Sequence, residues 1–109
     1  MPNIYKNAKK DLTSTSVTTL YSAPALTTAI VKSILVSEDS GNADTITVTI
    51  TDAESSPATF SLFKTKSISA NGTTELLTSP IVVQTGEILK VTAATANRLH
   101  VVASILEVS

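Results

Sequence analysis

The 109-residue sequence contains no cysteine, no tryptophan, one histidine and three glycines. Without cysteine there can be no disulfide framework, no thiolate nucleophile and no cysteine-bound metal. Because His100 is the only histidine, the sequence has no His-His pair that could bind a metal. A Ser-His-Asp catalytic relay would likewise have no second histidine available as a base. Gly41, Gly72 and Gly86 stand singly in predicted turns, so no glycine-rich phosphate loop is present. We therefore expect no catalytic residues, no metal site and no cofactor.

Charge is also scarce. Charged residues make up 16% of the chain, whereas a typical soluble domain has about 25%. Eight basic and nine acidic residues leave a net charge of −1, which gives no broad field for nucleic acid or an anionic membrane. No apolar run approaches the roughly 18 residues of a membrane span, and Met1 to Lys6 lack the apolar segment of a secretory leader. We expect synthesis in a cytoplasm, with neither nucleic acid nor membrane as a partner.

The sequence is rich in β-forming residues. Threonine and serine supply 32 of 109 residues, and leucine, valine and isoleucine supply 29 more. In the segment 44–52, Ile46, Val48 and Ile50 alternate strictly with threonines. Strict period-two alternation of β-branched residues predicts a strand with one face in a core.

Similar runs recur about every 10 residues between turn residues. They predict about eight strands in total, over 16–21, 27–36, 44–52, 59–65, 74–77, 80–84, 88–93 and 99–108. The polar segment 38–44 is interpreted as the turn of a hairpin. Short strands at regular spacing predict an all-β, two-sheet antiparallel sandwich that is jelly-roll-like. Residues 1–10 show no alternation and are interpreted as an extended N-terminal arm, so the single sandwich domain spans 11–109.

Two groups of polar residues have alternative interpretations. Glu38, Asp39 and Asp44 are interpreted as a solvated turn, with an ion site as the alternative because carboxylates are the ligands that calcium prefers. The lysines at positions 6, 9 and 10 are interpreted as a solvated arm, with contact to nucleic acid or to an acidic protein surface as the alternative.

Apolar residues occupy both faces of the predicted strands. Six of them fall opposite the predicted core rows: Tyr21, Val31, Leu35, Leu89, Val102 and Leu106. With so few charges to keep sheet faces apart, such a domain is expected to associate with copies of itself or with another protein. The alternative is that these residues form a second core face of the sandwich.

Three stretches resemble the small all-β virion structural proteins of tailed bacteriophages. They are TTLYSAP at 18–24 followed by TAIV at 28–31, PIVVQTGEILKV at 80–91, and AN at 96–97 followed by LHVVASILE at 99–107. The resemblance implies an all-β subunit of a phage particle, without a cofactor. It departs from the group in the lysine-bearing start and in the acidic turn.

Within that group the resemblance implies a capsid decoration or cement protein, a homotrimer that clamps neighbouring major capsid subunits in the virion. Its expected interface residues are Ile4, Tyr5, Lys9, Lys10, Tyr21, Val31 and Leu35. A tail, neck or fibre-associated subunit is the nearest alternative. A ligand-binding β module is the alternative of another class.

Overall fold

The computed structural model describes residues 3–109, and the regular structure within them is entirely β. Nine strands follow one another along the chain. They are β1 (Asn3–Asp11), β2 (Thr18–Ser22), β3 (Thr28–Glu38), β4 (Asp44–Thr51), β5 (Thr59–Ile68), β6 (Thr73–Glu75), β7 (Ile81–Val83), β8 (Ile88–Ala93) and β9 (Leu99–Val108).

The strands form two antiparallel sheets. The first sheet has the order β1-β9-β3-β6, with β7 also paired to β3, and the second has the order β2-β8-β4-β5. The pairs are nested along the sequence: β1 pairs with β9, β2 with β8, β3 with β6 and β7, and the central β4 with β5. The chain therefore runs as one long antiparallel hairpin rolled on itself. The prediction of an all-β, two-sheet antiparallel sandwich is confirmed.

The core lies between the two sheets and consists of alternating aliphatic residues. In β4, Ile46 and Val48 are fully buried, as the alternation predicts. In β9 the predicted inward row is buried as well: Leu99, Val101, Ala103 and Ile105. Because each buried aliphatic side chain contributes about 1.5–3 kcal/mol, this shared core is the main source of stability.

Residues 3–10 are not a free arm, which corrects the prediction. They belong to β1, an edge strand in which nine residues pair with β9 from Asn3 opposite Val108 to Asp11 opposite His100. Alternation is missing because β1 is exposed on both sides, with only Ala8 half-buried. Backbone pairing with β9, and not side-chain burial, therefore keeps this strand in place. Residues 1 and 2 of the predicted arm lie outside the described residues.

Two β-bulges reverse the predicted direction of side chains. The register of β3 against β9 shifts between Val31 and Ser33, and the register of β2 against β8 shifts between Thr19 and Tyr21. A bulge adds one residue to one strand and so changes which side chains point inward. Val31 consequently joins the core while Ile30 points outward, and Leu20 and Tyr21 are both buried.

Segment 38–44 crosses between the sheets, so the predicted hairpin is wrong. β3 lies in the first sheet and β4 lies in the second, and the two strands do not pair. The described strands that are consecutive in sequence and paired are β4 and β5.

Candidate functional site

The first sheet has one side against the core and one side facing away from the second sheet, which we call the outer face. Directly opposed residues in antiparallel strands share a face. Tyr5 is opposite Leu106, Leu106 is opposite Ile30, and Ile30 is opposite Val82. These four side chains form an apolar row across β1, β9, β3 and β7, in which Tyr5 is 74% exposed and Val82 53%.

A second row crosses the outer face four residues further along β9. Lys9 is opposite Val102, Val102 is opposite Leu35, and Leu35 is opposite Glu75. Val102 and Leu35 are both partly exposed. This row therefore places a positive charge on β1, two apolar side chains in the middle and a negative charge on β6.

A polar strip separates the two rows. Asn7 is opposite Ser104, and Ser104 is opposite Ser33. The extra residue of the β3 bulge, Lys32, carries its amine over the strip to within 5.9 Å of the ring centre of Tyr5. The small serine side chains leave an open depression between Tyr5 and Lys32, so the outer face is ridged and not flat.

The structure brings three of the predicted interface residues together on the outer face: Tyr5, Lys9 and Leu35. Ile4 and Lys10 alternate with them on β1 and so point to the other side of the same edge strand, where both are exposed. Tyr21 and Val31 lie in the core, with exposures of 7% and 0%. They present no surface to a partner, which corrects the prediction for these two residues.

Four contributors to this surface cannot be recognised from the sequence. Ile30 alternates with Val31 and Leu35, which were expected to face outward, so alternation places it in the core; the bulge in β3 that reverses this has no sequence signal. Val82 and Lys32 belong to the outer face only through strand register, which a single sequence does not reveal. Glu75 gave no signal at all, since a lone carboxylate at a strand end is ordinary.

A buried polar cluster connects the two sheets near this edge. The hydroxyl of Tyr21 donates a hydrogen bond to the carboxylate of Glu107, whose Oε2 also lies 3.5 Å from the amine of Lys6. Burial raises the pKa of the Tyr21 hydroxyl, and the neighbouring carboxylate raises it further. The phenol therefore remains protonated and serves as a fixed donor that holds Glu107 inside the sandwich.

Glu38 organises the crossing between β3 and β4. Its carboxylate accepts backbone hydrogen bonds from Ser40 at 2.8 Å, Gly41 at 3.0 Å, Asn42 at 3.1 Å and Asn71 at 3.0 Å, and one from the Ser40 hydroxyl. Burial raises the pKa of this carboxyl, but the hydrogen bonds lower it by more and leave it at about 2. Glu38 is thus ionised and turned toward the backbone, with 2% of the residue exposed.

The three acidic residues of segment 38–44 point to different partners. Glu38 faces the turn amides, Asp39 lies 3.5 Å from Nδ1 of His100, and Asp44 accepts a hydrogen bond from the amide of Thr95 at 3.1 Å. Within residues 3–109 no group of three or more metal-binding side chains converges. The geometry of this segment favours a structural turn over the ion-site alternative.

Glu75 fills the gap between β6 and β7 on the edge of β3. Its carboxylate accepts hydrogen bonds from the Ser33 hydroxyl, from the Ile34 amide at 2.8 Å and from the Leu77 amide at 3.1 Å. Burial raises the pKa of the Glu75 carboxyl, and these bonds lower it by more, so it lies below its usual range. One end of the second apolar row therefore carries a fixed negative charge.

His100 lies at the far end of the outer face, in the row opposite Asp11. Its Nε2 is 3.2 Å from Oδ1 of Asp11, and its Nδ1 is 3.5 Å from Oδ2 of Asp39. The side chain is 43% exposed, so His100 is a surface histidine held between two carboxylates.

Comparison with solved structures identifies similar chains. A chain of the acidic stable capsid structure of Helicobacter pylori bacteriophage KHP30 superposes with a TM-score of 0.54 and 14% identity, over 98% of this chain and 93% of that chain. The fold is shared. At this level of identity, the likeness describes the fold and not the activity.

Two further similar chains come from infectious bursal disease virus. The chain of the Gx strain gives a TM-score of 0.56 with 12% identity over 96% of this chain, and that of the Gt strain gives 0.52 with 11% over 98%. This chain spans only 28% and 30% of their lengths. No family model and no curated protein matches the sequence. In the described part of the chain, no helix is long and apolar enough to cross a membrane.

Proposed function

We propose that this chain is a structural protein of a bacteriophage particle. The observation that carries the proposal is the likeness to the chain of the KHP30 capsid structure, which extends over nearly the whole of both chains. Within the particle, the proposed role is that of a capsid decoration or cement protein. It would bind assembled major capsid subunits as an oligomer and so hold neighbouring subunits together.

The outer face supports a role in protein–protein contact. It places Tyr5, Ile30, Val82, Leu35 and Val102 on one side of one sheet, all of them at least partly exposed. Rows of exposed apolar residues on one face of a domain are typical of interaction sites. This feature favours a subunit that assembles over a module that works alone.

We also propose that the sandwich is a jelly roll. When β6 and β7 are counted as one interrupted strand, eight strands remain, paired first with last, second with seventh, third with sixth and fourth with fifth. Two four-stranded layers of this kind are typical of jelly rolls, a fold common in viral capsid domains. A jelly roll therefore agrees with the proposed role in a capsid.

The proposed shell contact is the side of β1 that points away from the outer face. Ile4 is 50% exposed there, and Lys10 is exposed further along the strand. An apolar residue and a cation on an edge strand could pack against an acidic rim of a neighbouring capsid subunit. Because this side of β1 is distinct from the outer face, binding to the shell and binding between copies can be tested separately.

The first experiment measures the copy number of the chain in the purified particle that encodes it, by quantitative mass spectrometry against the major capsid protein. A decoration protein should be present in hundreds of copies. A count of roughly six or twelve, as in a closed ring, would favour the tail or neck alternative instead. Absence from the particle would overturn the proposal and leave the ligand-binding module.

A second experiment tests the shell contact itself. Particles that lack the protein are incubated with wild-type protein or with the Ile4→Asp/Lys10→Glu variant, and bound protein is measured after sedimentation. The variant should bind at least about tenfold more weakly, because it buries a charge at one position and reverses a charge at the other. Lys64→Glu on β5 is the control for the charge reversal at Lys10. Equal binding by all three proteins would exclude this side of β1 as the contact.

The homotrimer implied by the sequence resemblance remains part of the proposal. The mass of the isolated oligomer by light scattering tests it directly. A strict monomer at high protein concentration that also fails to bind the shell would contradict both the oligomer and the decoration role.

A further inference from the structure

We infer that the outer face binds the outer face of a second copy of this chain, about a two-fold axis that runs parallel to the strands between β9 and β3. This inference concerns a surface and a partner that the virion role does not specify. It rests on the order of side chains in the two rows and does not depend on the proposed function.

The second row is self-complementary in charge. Read across the sheet, it runs Lys9, Val102, Leu35, Glu75. A two-fold rotation about an axis parallel to the strands reverses the strand order while keeping each row at its own height. Lys9 then faces Glu75 of the partner subunit, and Val102 faces Leu35 of the partner subunit. Each dimer thus gains two opposite-charge contacts around a central apolar pair.

The first row is self-complementary in shape and polarity. The same rotation places Tyr5 opposite Val82 of the partner subunit and Leu106 opposite Ile30 of the partner subunit, all of them apolar. Lys32 extends over the serine strip toward β1. In the dimer its amine therefore lies on the side of the partner's sheet that carries Glu75 of the partner subunit. No like charges are brought together in these rows.

An axis perpendicular to the strands, within the plane of the face, gives a poorer match. It keeps the strand order and exchanges the rows, so that Glu75 would lie against Val82 of the partner subunit. Covering a carboxylate with an apolar side chain removes it from water without a new partner, which is costly. The charge order therefore selects the axis parallel to the strands.

The area of the outer face is adequate for a reversible dimer. Four strand positions at about 4.8 Å spacing and about 28 Å of strand length give roughly 530 Å² per copy before side-chain relief is counted. Two copies then bury somewhat more than about 1,000 Å² in total, which is near the lower limit for a specific interface. We expect an outer-face contact that dissociates on dilution. A homotrimer would have to form through another surface, and its outer faces would then pair it with a second trimer, so the complete assembly remains even-numbered.

The main test is sedimentation equilibrium of the full chain over a wide concentration range. Wild type should show an even-numbered assembly that dissociates to a smaller species. Lys9→Glu should raise the dissociation constant at least about tenfold, since both symmetric contacts become repulsive. Val102→Glu, at the centre of the face, should raise it by about a hundredfold or more. Lys64→Glu makes the same charge change as Lys9→Glu, but on the second sheet, and should leave the dissociation constant unchanged.

Circular dichroism and thermal melting verify that each variant is folded, which is expected because Lys9 and Val102 are exposed. A wild-type monomer at millimolar concentration would overturn the inference. So would an assembly of three copies, or an assembly that Val102→Glu leaves intact. A wild-type protein that forms the dimer but does not bind the shell would contradict the proposed function alone.

Zero-length carbodiimide cross-linking identifies the contact directly. Within one chain, Lys9 and Glu75 are three strand positions apart, roughly 14 Å, which a zero-length reagent cannot span. A Lys9–Glu75 cross-link in a mixture of ¹⁴N- and ¹⁵N-labelled protein should therefore carry both isotopes. Its absence, or cross-links joining Lys9 to carboxylates of the second sheet instead, would refute the proposed axis.

Discussion

Replacing Tyr21 with phenylalanine should destabilise the chain although it removes a single oxygen atom. The Tyr21 hydroxyl donates a hydrogen bond to the buried carboxylate of Glu107. Among residues 3–109, its removal leaves that carboxylate with the amine of Lys6, 3.5 Å away, as its remaining side-chain partner. A hydrogen bond to a charged group is worth about 1.5–3 kcal/mol, so we expect a loss of about 2 kcal/mol in the free energy of unfolding. For a domain of this size, that loss lowers Tm by roughly 8–16 °C.

The measurement is urea unfolding followed by far-ultraviolet circular dichroism, which does not depend on the altered phenol. Tyr5→Phe is the matched control. Tyr5 is 74% exposed, so its replacement should change the free energy of unfolding by no more than about 0.5 kcal/mol. Equal stability of Tyr21→Phe and wild type would refute the role assigned to the Tyr21–Glu107 pair.

The Tyr5→Phe variant allows a second readout, because Tyr21 is then the only tyrosine in the chain. Burial and the neighbouring carboxylate raise the pKa of Tyr21 above its ordinary value of 10.0. Since the folded state favours the protonated phenol, the stability it contributes is fully present below pH 10.0 and is lost as the pH rises further. Phenolate absorbance should therefore appear together with alkaline unfolding. Phenolate formation in the folded chain would contradict the burial argument.

Three further predictions follow from the core and the turns. The lowered pKa of Glu38 means that its contribution to stability is present above pH 4.5 and disappears as the pH falls toward about 2. Glu38→Gln should therefore lose less stability than wild type over this pH range, as measured by thermal melts, with Glu54→Gln as the control. Val31→Ala should lower the free energy of unfolding by about 2 kcal/mol, and Ile30→Ala should lower it by distinctly less, although Ile30→Ala removes more atoms. A lower urea midpoint for Ile30→Ala than for Val31→Ala would contradict the bulge in β3. Glu75→Ala should accelerate amide hydrogen exchange at Ile34 and Leu77, whose N–H groups bond to Glu75, while exchange at Val48 in the second sheet remains unchanged.

The fold class could be predicted because the sequence signal is local. In β4 and β9, strict alternation of aliphatic residues directly gives the buried rows, and the structure agrees with it. Strand pairing could not be predicted from the sequence, because it depends on which distant segments meet. The hairpin predicted across segment 38–44 failed for this reason, since the next partner of β3 in the chain comes only after β5.

The errors at the candidate site have two physical causes. Tyr21 and Val31 were expected on the surface, and each lies at a bulge, where one added residue reverses the direction of the side chain. β1 was interpreted as an arm because both of its faces are exposed, which removes the alternation that normally indicates a strand. Tyr5, Lys9 and Leu35 were placed on the surface without any knowledge that the register would bring them onto one face.

The position of β9 has a consequence for when the protein can assemble. This strand comes last in the sequence, yet it lies in the first sheet between β1 and β3 and contributes a residue to each outer-face row. During translation, β1 and β3 therefore lack the strand that joins them until residues 99–108 leave the ribosome. Such long-range pairing slows folding. A truncated chain cannot build the outer face, so incomplete copies should be excluded from any assembly that uses it.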